Sequence, residues 1–478
     1  MSLVRSIAKN TLIQIAGKGV STLLGLLAVS ILTRAMGAEK FGWYSTAIGF
    51  LQFVAVLTDF GFTVVTAKML SEPNFDKRKL LNNLFTWRLI TALASQSLAV
   101  GAIWLFPYSS TIKIATLILA LSYIPNILNQ VFTGYYQTKL RVDIQMAGEV
   151  LGRMALVVGF WLAVKGNLDF FPMMWVVAIA AWIYTIYIWR KSGGVAPRID
   201  KEETKAIFQK MWPVAIGVIF NAFYLQGDRL ILPLYANAVE VGLYSAAYRV
   251  LDILSQVAFM TMGIMLPLLT FSWSRGLYDE FKKHYQLSFD LMLIVLAPMV
   301  VGVIALAAPI MGLIFGSEFT AGGPILALLS VAVFGICFGS TFSQMALAIN
   351  KQKQATLIFG ADAVLSVIAY FIFIPRFGML GAAYVTIFSE LFAGLGFFLL
   401  CAYHTRLWPK ITTALKVALA SSIMGILLYY LQAINIVILI LLGVLIYASL
   451  VILFRIVSIQ TLKEVLYAKT DQNTKVVV

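Results

Sequence analysis

Long apolar runs separated by short polar segments fill the chain from residue 10 to residue 454. Fourteen such runs can be drawn, at 10–33, 42–67, 82–105, 112–133, 143–164, 170–189, 212–234, 241–270, 286–315, 323–348, 355–375, 379–402, 411–432 and 434–454. Each is close to the roughly 20 residues that a bilayer core demands, and some are long enough to tilt. The pattern predicts an all-α polytopic membrane protein with about fourteen transmembrane helices. The second run has a twin. At an offset of 200, Gly42-Trp43-Tyr44-Ser45-Thr46-Ala47 falls on Gly242-Leu243-Tyr244-Ser245-Ala246-Ala247. Ile31, Leu32 and Ala38 fall on Ile231, Leu232 and Ala238. A single gapless offset indicates an internal duplication, so two six-helix lobes are expected. Repeats of this kind are how transporters build a central site that can face either side.

The twin helices share a polar face. Ser45, Gly49, Gln52, Asp59, Thr63 and Thr66 recur at helical spacing in the first copy, and Ser245, Arg249, Asp252, Gln256 and Gly263 continue that face in the second. A charge facing lipid costs about 2.5–3.5 kcal/mol on insertion scales, so both stripes should turn inward.

Composition sharpens this picture. Hydrophobic residues make up 61% of the 478 and charged residues 12%. The net charge of +15 could suggest nucleic acid, but position argues otherwise. The lysines and arginines concentrate in alternate short loops, and Arg34, Lys40, Lys113, Lys165 and Arg376 are the five assigned to the opposite face. The positive-inside rule then puts both termini in the cytoplasm, and anionic lipid headgroups become the natural partner of the basic loops. Cys337 and Cys401 lie in apolar runs and His284 and His404 in polar loops, so no disulfide framework or metal-ligand spacing is present and no cofactor is expected. The N-terminal apolar stretch is too long for a cleavable signal and reads as the first span. The charged segment from Arg190 to Lys210 contains Ser192-Gly193-Gly194 and Pro197, which predicts a flexible loop leading amphipathically into Trp212. The expected organisation is a six-helix lobe over 1–190, a cytoplasmic linker over 191–211, a second six-helix lobe over 212–403, two extra spans over 404–454 and a cytoplasmic tail over 455–478.

Charged residues inside the spans are the candidates for function. Glu149 and Arg153 stand i, i+4, and Arg249 and Asp252 stand i, i+3, spacings that permit ion pairs. Asp228 shares a helical face with Asn221 and Tyr224 and should point inward; Arg229 diverges from it by about 100°. Lys18 lies near mid-depth on a stripe with Thr11, Gln14, Ser21, Thr22 and Gly25 and has no acid within a turn. It needs an acid, a wet cavity or an anionic ligand, and Asp59 on the next span is the expected partner. Arg88 lies in span three. Tyr123, Asn126, Gln130, Thr133 and Gln137 form an uncharged stripe on span four suited to sugars or to packing. Asp362 and Glu390 stand singly on spans eleven and twelve, where a carboxyl in apolar surroundings can exchange protons near neutrality.

Several short motifs then suggest a family. Asp59-Phe60-Gly61, Leu313-Ile314-Phe315-Gly316 with Phe319, Ile374-Pro375-Arg376-Phe377-Gly378 with Gly381-Ala382-Ala383, Tyr248-Arg249 and Lys351-Gln352-Lys353 appear in an order that resembles the Wzx-type polysaccharide-biosynthesis flippases. These belong to the superfamily of multidrug, oligosaccharidyl-lipid and polysaccharide exporters. The resemblance implies two six-helix lobes around a central cavity, plus two extra helices. It implies transfer of an undecaprenyl-diphosphate-linked oligosaccharide repeat unit from the cytoplasmic to the outer leaflet of a bacterial or archaeal plasma membrane. Alternating access coupled to a proton or a sodium ion, and contact with polymerase or export machinery, are further implications. Lys18, Arg88, Arg153 and Arg249 would hold the diphosphate, with Gln52, Asn126 and Gln130 beside them. Asp59, Glu149, Asp228, Asp252, Asp362 and Glu390 would couple the ion or balance charge. Seven acids against six bases in the spans mean that the cavity need not be strongly cationic.

A lipid II flippase and a multidrug exporter of the same superfamily are the nearest alternatives. A membrane glycosyltransferase or polymerase would be expected to carry a large outer loop with catalytic residues, whereas the longest loop here is the cytoplasmic one. The chain does not read as an enzyme.

Overall fold

The computed structural model describes residues 3–456 except 60, 73 and 74. The expected tail beyond residue 456, and the side chains of Thr11, Thr63, Asn221 and Tyr224, lie outside the described residues. Every regular element among the described residues is helical: α1 (Leu3–Leu57), α2 (Phe62–Ser71), α3 (Lys77–Ala102), α4 (Ser110–Thr138), α5 (Val142–Lys165), α6 (Phe170–Lys191), α7 (Lys201–Tyr235), α8 (Ala238–Ser274), α9 (Tyr278–Ala305), α10 (Ala307–Phe315), α11 (Gly323–Ala348), α12 (Gln352–Thr405), α13 (Thr412–Tyr430) and α14 (Ile436–Leu453), with two short 3₁₀ pieces. Ten helical segments among the described residues are long and apolar enough to cross a membrane, so the protein is a multi-pass membrane protein.

Two helices are far longer than a bilayer is thick. α1 has 55 residues and α12 has 54, each about 80 Å if straight. Both bend at a glycine, Gly37 (φ 71°) and Gly378 (φ 54°), backbone values that a side chain would strain. Each therefore covers two predicted spans. The predicted second span is not one helix. It breaks after Leu57 and resumes at Phe62, with Gly61 in the left-handed conformation (φ 81°). The predicted ninth span likewise divides into α9 and α10.

The chain forms two compact units. The first comprises Met1–Arg249, Met311–Ile325 and Thr356–Ser389. Within it, the two copies of the repeat meet by their backbones. A side chain on Gly42 would collide with the carbonyl oxygen of Ala238, and one on Gly242 with that of Ala38. The same offset of 200 that aligns these residues in sequence relates the two contacts. The loops nearby join this seam. Arg34 Nη2 donates to the Leu313 carbonyl at 2.6 Å, Phe41 meets Phe319 edge to face at 5.8 Å, and Glu318 Oε2 accepts the Ala38 N–H at 3.0 Å. Glu240 accepts the Met379 N–H at 3.2 Å, so each glycine bend has a carboxylate on the amide that follows it. These interactions satisfy donors that the bends release from the helical ladder.

The segment after α6 is not loose. Arg78 Nη1 and Nη2 donate to the carbonyls of Ser192, Gly193 and Gly194 at 2.7–2.9 Å. Thr86 bonds both the N–H and the C=O of Arg198, and Asn83 reaches the Asp200 carbonyl. Val195, Ile207 and Met211 enter an apolar core with α2, α3 and α4. The expected flexible linker is thus docked on α3, because its glycines turn three carbonyls toward one guanidinium. Lys79 closes the arrangement on Asp200 at 2.8 Å, and this bond holds the Asp200 carboxyl below its usual 3.8. A depressed carboxyl stabilises the docked form above the unfolded value and ceases to do so as pH falls through the folded one. A spin label on Ala196→Cys should stay immobile at neutral pH and loosen only once the pH has fallen below the usual 3.8. Constant mobility over that range would show that the carboxylate does not hold the segment.

The second unit comprises Val250–Ile310, Leu326–Ala355 and Glu390–Val478. Here α13 and α14 pack on α9: Gly425 lets α13 approach Val301, Gln432 Nε2 donates to the Ala305 carbonyl at 2.6 Å, and Tyr447 donates to that of Ile294 at 2.8 Å. Phe338, Phe342 and Phe398 stack between α11 and α12 with centroids 4.7–5.7 Å apart.

Candidate functional site

The first unit holds a half-open cavity of about 610 Å³, within the roughly 300–1,000 Å³ typical of small-ligand sites. Its wall is built from α1, α3, α4, α5 and α6, with Asp59 from the break after α1 and Arg249 from α8. Polar spacing on each helix turns Gln52, Asp59, Arg88, Tyr123, Asn126, Gln130, Glu149, Arg153 and Tyr184 to this space. Small residues bring the helices close enough to shape it. Gly148 and Gly152 on α5 admit the Tyr184 ring of α6, and Gly17 on α1 lies against Met146 of α5.

Two of the four predicted cations are neutralised within the protein. Arg88 is 2% exposed and donates to Asp59 Oδ1 at 2.5 Å, to Gln130 Oε1 and to the Ile127 carbonyl, with its guanidinium over Phe62. The break that disrupts the predicted second span thus delivers Asp59 to a buried arginine. Lys18 is bound to Glu149 Oε1 at 3.1 Å, and Ser21 donates to the same oxygen at 2.7 Å. The expected Lys18–Asp59 pair is therefore replaced, while Arg153 remains an electrostatic neighbour of Glu149. Lys18 finds its acid on α5 because α1 packs along α5 over its first half, and Asp59 is already engaged by Arg88. Lys18 is not itself on the cavity wall.

Arg153 and Arg249 differ. Both line the cavity, and among the described residues neither makes an ion pair or hydrogen bond. Tyr44 lines the same cavity as both of them. Tyr123 is fixed by donating to the Ile48 carbonyl at 3.1 Å. The aromatic and amide stripe of span four thus reaches the cavity through Tyr123, Asn126 and Gln130, whereas Gln137 does not.

The other predicted acids lie elsewhere. Asp228 is 2% exposed. It accepts from Tyr244 at 2.6 Å; Tyr244 adjoins Thr386 at 3.2 Å, and Thr386 adjoins Tyr370. Arg229 stacks its guanidinium on Tyr248 at 4.2 Å. Asp362 is fully buried and accepts from Ser389 at 2.9 Å and Ser366 at 3.2 Å. Asp252 is half-buried and Glu390 is buried against Gly335; neither lines the cavity. Sequence reasoning passed over Tyr44, Tyr184, Glu240 and Glu318. The pair Gly148 and Gly152, four apart on one helix, was the available signal for the close approach that places Tyr184.

The chain is similar to known proteins in sequence and in fold. The chain is 24% identical to the probable low-salt glycan biosynthesis flippase Agl15 of Haloferax volcanii over 395 residues, 81% of each chain. It is 23% identical to a putative O-antigen transporter of Shigella flexneri, over 79% of this chain and 93% of that one. Its fold is similar to that of the lipid II flippase MurJ in an inward closed conformation, with a TM-score of 0.77, 17% identity and coverage of 93% of this chain and 99% of the other. Residues 7–273 match the family described as polysaccharide biosynthesis protein, and since that match takes in more than half of the chain, the protein belongs to this family.

Proposed function

We propose that the protein is a flippase that moves undecaprenyl-diphosphate-linked oligosaccharide repeat units from the cytoplasmic to the outer leaflet of a prokaryotic plasma membrane. The observation that carries this reading is that two guanidinium groups, those of Arg153 and Arg249, line a cavity also lined by tyrosines and amides. Arginine forks suit phosphate oxygens, and aromatic faces with amides suit sugars. Lys18 and Arg88 act indirectly, by balancing Glu149 and Asp59 on or beside the wall. The names of the two relatives, a glycan biosynthesis flippase and an O-antigen transporter, agree with this substrate class. The protein acts as a transporter, not an enzyme.

Transport proceeds by alternating access. The seam of Gly42 and Gly242, fastened by Glu318 and Arg34, is the barrier on the outer side, which the positive-inside rule assigns to these loops. Asp228 and Asp362, buried and hydrogen-bonded by hydroxyls, are the carboxyls best suited to couple a proton or sodium ion. A lipid II substrate is the second reading, favoured by the extent of the structural match to that flippase.

The test is reconstitution into liposomes loaded with one labelled lipid at a time, an undecaprenyl-diphosphate oligosaccharide or lipid II. Appearance of the label at the opposite leaflet is read by an impermeant glycan-modifying reagent. Faster transfer of the oligosaccharide lipid is expected; transfer of lipid II alone would establish the second reading, and transfer of neither would end both.

A further inference from the structure

The docked segment between α6 and α7 sorts its charges by side. Most of its acids are spent on the protein. Asp200 holds Lys79 at 2.8 Å, Glu72 holds Lys210, and Glu203 is buried with Lys79 4.0 Å away. Asp76 caps α3 by accepting the N–H groups of Arg78 and Lys79. Arg78 itself is spent on the carbonyls of Ser192, Gly193 and Gly194. The remaining cations, Lys77, Arg190, Lys191, Arg198, Lys201 and Lys205, are all exposed, and among the described residues none is in an ion pair. Asp76 and Glu202 are the exposed acids among them. The first turns of α7 show the same division: Glu203, Ile207 and Met211 share one helical face and are buried, whereas Lys201, Lys205 and Phe208 share the other and are exposed.

The outward side is not only basic. Ile199 is 57% exposed and Phe208 44%, and the exposed Trp189 ring is held in place by its N–H on the Val195 carbonyl. Large apolar side chains set among lysines and arginines, at the ends of membrane-crossing helices, are the pattern of a surface that lies on a bilayer. The positive-inside rule puts these basic loops on the cytoplasmic side. We infer that the outward side of this segment is a binding surface for the anionic phospholipid headgroups of the cytoplasmic leaflet. The cations meet headgroup phosphates, and Ile199 and Phe208 enter the layer beneath them. The clasp on α3 makes the surface possible. It holds Arg198 by its backbone, through Thr86, and so leaves the guanidinium free to face a lipid. The surface does not depend on what the protein transports.

The test places a bimane fluorophore on Ile199→Cys, a single reporter because Cys337 and Cys401 are buried. The full-length protein is reconstituted into phosphatidylcholine vesicles in which a small fraction of the lipid carries bromine near the top of its acyl chains, either as phosphatidylglycerol or as phosphatidylcholine. At low salt the brominated phosphatidylglycerol should quench at least about twofold more strongly. The excess should vanish at about 0.5 M salt, where charges are screened within a few ångströms. Arg198→Gln combined with Lys201→Gln and Lys205→Gln should bring the two lipids level and melt as the parent does. If that triple variant melts early, Lys205→Gln alone is read in its place and should remove part of the excess. Lys282→Gln with Lys283→Gln, at the start of α9, should leave the excess intact. Equal quenching by the two lipids in the parent would overturn the anionic preference, and an excess that survives the loss of these cations would overturn its assignment to this surface. Quenching by neither lipid would show that the surface faces water, as an acidic soluble partner would require, and would end the proposal.

Discussion

Arg249→Gln is expected to lower flipping by about a hundredfold, with protein levels in the membrane unchanged. The side chain is on the cavity wall and has no partner among the described residues, so little in the fold depends on it. Its loss would leave a phosphate oxygen facing Arg153 alone. Removing one partner of a desolvated charge pair costs about 2–5 kcal/mol, and each 1.4 kcal/mol is about a factor of ten. Arg153→Gln should do the same. Arg249→Lys should recover only part of the activity, since an ammonium keeps the charge but not the two-pronged geometry. Lys351→Gln, in the loop before α12, is the control and should transport normally. The measurement is leaflet transfer in liposomes, or complementation with expression checked. If Arg153→Gln and Arg249→Gln work as well as Lys351→Gln, the diphosphate site is elsewhere.

Asp59→Asn should have the largest effect on stability, about 3–5 kcal/mol, because it strands a buried guanidinium. Arg88 is 2% exposed and Asp59 is its ion-pair partner. The pair also spans the break between α1 and α2, so Asp59→Asn should loosen the start of α2 as well. Replacing both residues by apolar ones, as in Asp59→Leu with Arg88→Met, should restore most of the melting temperature, since two buried charges and their desolvation disappear together. The double variant separates fold from transport: it should melt near the parent protein yet alter the cavity wall. A single Asp59→Asn variant as stable as the parent would mean that solvent reaches Arg88.

The helices were legible because membrane burial leaves long, regular signals. The inward placement of Gln52, Asp59 and Arg249 followed from one helical face, and all three line the cavity. What the sequence concealed was contact at a distance. Lys18 meets Glu149 across 131 positions, and nothing in the spacing of either stripe selects that acid over Asp59. The break at Asp59 was hidden because the apolar run continues through it, and only Gly61 marks the turn. The segment after α6 misled for a related reason. Gly193 and Gly194 do adopt positive φ, as loose glycines would, but they do so to present carbonyls to Arg78. Local freedom in the sequence became fixed geometry through one arginine more than a hundred residues earlier.

The reciprocal contact of Gly42 with Ala238 and Gly242 with Ala38 has the form of an isologous interface, the same patch used twice about an axis. A Cβ at either glycine would be driven into a backbone carbonyl, which no side-chain rotation can relieve, so the two chains can lie this close only while both positions stay glycine.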